Sequence, residues 1–155
     1  MDICKFIELL GQQETPNCHP FGICDQYWST WQCSHIRYVK ATWDADDFST
    51  EKTLAWIINR AQNTYITHWL ENLNKVSIVT TDPTNAVNYM RSLQKEVRVS
   101  DFLTHDDTFQ FPWLDTVPET LYSIKDLKLY NYGPSEIFVW RNEHSLYYFE
   151  THFES

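Results

Sequence analysis

The sequence predicts an α+β fold, with residues 1–155 forming a single globular domain. The expected architecture is a mixed sheet with mainly antiparallel C-terminal strands and helices packed largely on one face. Three observations lead there. A chain of 155 residues matches one ordinary domain. Its 43% hydrophobic and 21% charged residues suit a packed core. The hydrophobic period then runs helix, strand, helix, strand, helix, followed by several strands, an order that favours α+β over alternating βαβ units.

The first element is a helix. Asp2 is placed to cap it, Ile3, Phe6, Ile7 and Leu10 recur on one face, and Gly11 is expected to end it. Residues 12–24 hold two Pro, one Gly, Asn and Thr and read as a loop, whereas 25–34 favour no period. His35 to Trp43 alternates and is rich in β-formers, so a strand is expected, followed by an acidic turn at Asp44, Asp46 and Asp47.

A long helix is expected from Thr50 to Leu73, capped by Ser49 or Thr50. Leu54, Ile57, Ile58, Ala61, Tyr65, Trp69 and Leu73 form its apolar stripe, and Trp56 falls almost opposite. Val76 to Thr80 reads as a short buried strand. Asp82-Pro83 supplies an N-cap and a first-turn proline, and Ala86, Val87, Met90, Leu93 and Val97 line one face of the helix that follows.

Beyond it, 97–103 is a candidate strand and 104–120 a loop. Thr120 to Lys125 matches a helical turn, and Leu127 to Tyr132 a strand before the Gly133-Pro134 turn. Glu136–Arg141 and Ser145–Thr151 read as a hairpin around Asn142-Glu143. Its large apolar groups occupy both faces, so both faces should be covered.

Composition excludes several functions. Only three glycines occur, Gly11, Gly22 and Gly133, too few for a dinucleotide or P-loop phosphate cradle. The net charge is −9, and residues 101–155 carry ten acidic and three basic groups. Such a chain should repel a nucleic-acid backbone, and Arg91, Lys95 and Arg98 read as a solvated face. No stretch reaches the roughly 18 apolar residues of a membrane span, and no apolar leader follows Asp2. The expected location is therefore the cytoplasm, with the four cysteines as free thiols.

The densest set of candidate ligands is Cys18, Cys24, Cys33 and His35, with His19 beside them. Their C-x5-C-x8-C-x-H spacing lacks the short cysteine pair usual in structural zinc sites, so no metal and no cofactor are expected. Asp115, Asp126 and Lys128 have the composition of a magnesium-dependent nuclease site, but 21 acidic residues generate such spacings readily. His105-Asp106-Asp107 is explained equally well by an acidic loop. The remaining histidines, His68, His144 and His152, stand in no catalytic motif.

The leading expectation is a non-catalytic intracellular protein that binds another protein, of the inhibitor, immunity or assembly-factor type. It would use an acidic, aromatic-rich surface suited to a basic partner. Aromatics reach 16%, and Trp and Tyr dominate binding hot spots. Trp56 with Asp44, Asp46 and Asp47 is the candidate surface, if the indole is not covered by the chain itself. The alternatives are a small hydrolase or nuclease assembled from dispersed His and Asp, and a small-ligand sensor.

Overall fold

The computed structural model describes residues 1–12, 21–31, 34–43, 49–61, 73–96, 117–127, 135–142 and 145–152. Helix α1 spans Ile3–Gln12, α2 Thr50–Ala61 and α3 Pro83–Glu96. The strands are β1 Phe21–Trp31, β2 Ser34–Trp43, β3 Ser77–Thr81, β4 Leu121–Lys125, β5 Ser135–Asn142 and β6 Ser145–His152. A 3-10 turn, Leu73–Lys75, precedes β3.

The three helix starts follow from local chemistry. The Asp2 carboxylate accepts the Lys5 N–H at 3.2 Å, Ser49 Oγ the Lys52 N–H at 3.3 Å, and Asp82 Oδ1 the Asn85 N–H at 3.1 Å. Each side chain satisfies a first-turn donor that has no partner within its helix. α1 continues one residue past Gly11. α2 is described as far as Ala61, so the remainder of the expected 50–73 helix lies outside the described residues, apart from Leu73 in its 3-10 turn.

All six described strands join one sheet, in the order β1-β2-β6-β5-β4-β3. Each of the five ladders is antiparallel, where a mixed sheet with mainly antiparallel C-terminal strands was expected. The reason is β6. It folds back beside β5 and pairs on its other flank with β2, which closes the sheet without a parallel neighbour. Several local expectations change with it. Residues 21–24 belong to β1 rather than to a loop. Leu121–Lys125 is a strand between β3 and β5 rather than a helical turn. β3 is the sheet's edge and half-exposed rather than buried, with Val79 42% exposed.

Strand alternation divides the core in two. On one face Val39, Ala41, Ile124, Ile137, Val139, Leu146 and Tyr148 pack with Phe6 and Leu10 of α1 and with α2. On the other, Tyr38, Leu121, Phe138, Trp140, Tyr147 and Phe149 pack with Ala86, Val87 and Met90 of α3. Two of the three described helices thus share a face, and both faces of the β5–β6 hairpin are covered, as its pattern predicts. In α2 six consecutive residues, Thr53 to Ile58, are buried. Six residues pass fully around a helix, so α2 is covered on every side. Trp56 is 4% exposed and belongs to the same cluster as Phe6 and Leu10.

Candidate functional site

The β5–β6 hairpin brings Trp140 and Tyr147 directly opposite each other, and their rings stack at 5.4 Å with an interplanar angle of 4°. Tyr38 meets Trp140 and Phe149 edge-on, at 5.8 and 5.5 Å. Lys40 of β2 holds its ammonium 5.8 Å from the Tyr147 ring centre, within cation–π range. Four large aromatics thus form a slab across the neighbouring strands β2, β6 and β5.

At the end of the sheet nearest the β5–β6 connection, the slab borders a cleft of about 740 Å³. It is lined by Val139, Trp140, Leu146 and Tyr147 at the ends of β5 and β6, by Tyr122 of β4 and the segment Val117–Thr120, and by Met1 and Thr50 at the starts of α1 and α2. Arg141 and Asn142 line it as exposed polar groups, and Glu119 adds a carboxylate. Val117 is 41% and Met1 36% exposed. With Val79 they are the exposed large hydrophobics among the described residues, and two of the three border this cleft. The Asp2 N–H donates to Glu51 Oε1 at 2.8 Å, tying the two helix starts together beside it. Acidic groups at these positions also offset the positive ends of both helix dipoles.

The residues singled out from the sequence are distributed differently. Trp56 is core, so its indole is no surface anchor; the burial of α2 on all sides overrides its position opposite the apolar stripe. Asp44, Asp46 and Asp47 lie outside the described residues. Their flanking neighbours are both at the cleft end of the sheet, since Thr42 Oγ1 and Ser145 Oγ are 3.1 Å apart and Thr50 lines the cleft.

Of the zinc candidates, Cys18 and Cys33 lie outside the described residues. Cys24 pairs with Ala41, and His35 with Thr30. Those two therefore stand six rungs apart on the β1–β2 ladder, roughly 20 Å at the rise of a strand, and cannot share one ion. Asp126 is exposed in a left-handed conformation (φ 62°) just after β4, whereas Asp115, Lys128 and the 105–107 cluster lie outside the described residues. Cys4 is an exposed free thiol. Among the described residues no helix is long and apolar enough to cross a membrane.

Sequence reasoning missed the cleft. Only the hairpin aromatics signalled it. Met1, Thr50, Val117 and Arg141 come together through the sheet order and carry no local pattern. No protein-family model, curated protein or solved structure matches this chain.

Proposed function

We propose that the protein acts without catalysis, by binding another protein in the cleft at the β5–β6 end of the sheet. The observation that carries this reading is the composition of the cleft: the half-buried Tyr122 and exposed Arg141 beside the exposed apolar groups Met1 and Val117, over the buried rings of Trp140 and Tyr147. Trp, Tyr and Arg are the residues that most often carry binding energy, and they do so where an apolar centre is ringed by polar groups. The net charge of −9 and Glu119 at the rim favour a basic partner. An intracellular inhibitor, immunity or assembly role fits such a surface, by analogy of type.

The test compares capture by the native protein with capture by Val117→Asp and Arg141→Glu, two exposed positions where a charge leaves the core intact. A stoichiometric partner held by the native chain and lost by both variants, at unchanged melting temperature, supports the proposal. Equal capture by all three, or no partner at all, refutes it.

A second reading has one observation in its favour. A cleft of about 740 Å³ is within the range of small-molecule sites, and its stacked aromatic pair suits a planar ligand. A ligand that raises the melting temperature of the native protein, and not of Arg141→Glu, would favour it over a protein partner.

A further inference from the structure

Strand β3, Ser77–Thr81, reads Ser-Ile-Val-Thr-Thr. All but its serine are β-branched, and it holds no charge, no proline and no glycine. Among the described residues it pairs with β4 alone, so its other side is an edge of the sheet. Natural edges are commonly blunted by lysine, proline or a bulge. β3 has none of these, since its register on β4 runs from Ser77 to Thr81 without a shift. Val79 and Thr80 are both exposed, and adjacent residues of a strand point to opposite faces. The middle of this edge is therefore open both above and below the sheet.

Charge marks the two ends of the strand. Lys75 ends the 3-10 turn before it and Asp82 follows it, and both are exposed. The segment 75–82 thus holds one cation and one anion and sums to zero, within a chain of net charge −9. Two copies of so acidic a chain repel each other in general, and a neutral segment with opposite charges at its ends is where they meet at least cost.

We propose that the β3 edge is the contact between two copies of this chain, paired antiparallel about a two-fold axis at Val79. An axis normal to the sheet keeps every residue on its own face, and centring it on Val79 pairs every strand residue with a strand residue. Val79 then stands opposite Val79 of the second copy, and Ile78 opposite Thr80. The same rotation sets Lys75 of each copy within one rung of Asp82 of the other, so the attraction is made twice. The contact is isologous and closes, because each copy uses this edge once. A 5-residue strand is well short of the about 20–30 residues a side of a stable complex, so the dimer is weak and its population follows concentration. Lys75, Val79 and Asp82 do not line the cleft, so the outcome is independent of what the cleft binds.

Sedimentation equilibrium of the full chain at physiological salt, between about 5 and 500 μM, reads the affinity directly. The expected result is a reversible monomer–dimer equilibrium. Val79→Lys puts two ammonium groups opposite each other at the axis and should weaken it by more than about tenfold. Lys75→Glu sets like charges at both ends and should weaken it about fivefold. Far-UV circular dichroism and the melting temperature, taken at low concentration, verify that the variants are folded. A second measurement uses Val79→Cys and Thr80→Cys, each combined with Cys4→Ser to remove the exposed native thiol, under mild oxidation. Facing Cα atoms about 4.5–5.5 Å apart suit a disulfide, so Val79→Cys should cross-link to a dimer and Thr80→Cys should lag behind it. A chain that stays monomeric throughout the range, a dimer undiminished by Val79→Lys or by Lys75→Glu, or faster cross-linking by Thr80→Cys would overturn the proposal.

Discussion

Trp56 and Glu150 show how burial decides what a side chain does. The indole sits in a core closed by α1, so Trp56→Ala should destabilise the fold by about 3–5 kcal/mol through transfer and cavity terms. Chemical denaturation measures this, and a loss under about 1 kcal/mol would mean that the helix is not covered on that side. Ile58, fully buried on α2, should cost about 2–5 kcal/mol on change to Ala. For Tyr148→Phe the shape is kept and the hydrogen bond from its hydroxyl to the buried Glu150 carboxylate is lost. The expected cost is about 1.5–3 kcal/mol, read from the urea midpoint at constant slope.

Elements differ in how far their own residues specify them. The starts of all three helices were legible in the sequence because capping is decided within four residues. Asp82→Ala should accordingly cost about 1 kcal/mol, and Asp82→Ser much less. The β5–β6 hairpin was legible for the same reason: its two alternating runs are separated by a short connection. β4 was not, since Leu121 and Ile124 are three residues apart, a helical spacing. Pairing with β3 on one side and β5 on the other turns them to opposite faces instead. β1 was hidden by Pro20 and Gly22 at its start, and β3 looked buried because Ile78 and Val79 are adjacent and apolar. As an edge strand, β3 should tolerate Val79→Lys within about 0.5 kcal/mol, with slower aggregation on heating. A loss of several kcal/mol would mean that this edge is covered.

At the scale of the whole molecule, one sheet serves two cores. Phe138 and Phe149 face α3, while Ile137, Val139 and Tyr148 on the same two strands face α1 and α2. Neither side can lose its packing without loosening the sheet that supports the other. Met90→Ala on one face and Ile57→Ala on the other should therefore each shift a single transition, with near- and far-UV circular dichroism coincident. Separate transitions would show that the faces unfold independently. The candidate site belongs to this scale as well, which is why so little of it was legible. The cleft joins the starts of two helices to the ends of three strands, in a sheet that only the β2–β6 ladder makes continuous.

That ladder also orders events at the ribosome. β2 and β6 are neighbours in the centre of the sheet, yet Thr42 and Ser145, on facing rungs, are 103 residues apart. At about 5–20 residues per second, translation delivers β6 roughly 5–20 seconds after β2. Throughout that interval the nascent β1–β2 hairpin offers an unpaired edge rich in β-formers, open to the wrong strand or to a neighbouring polysome's chain. The newborn chain thus carries that exposed edge until β6 arrives to join the two halves of its sheet.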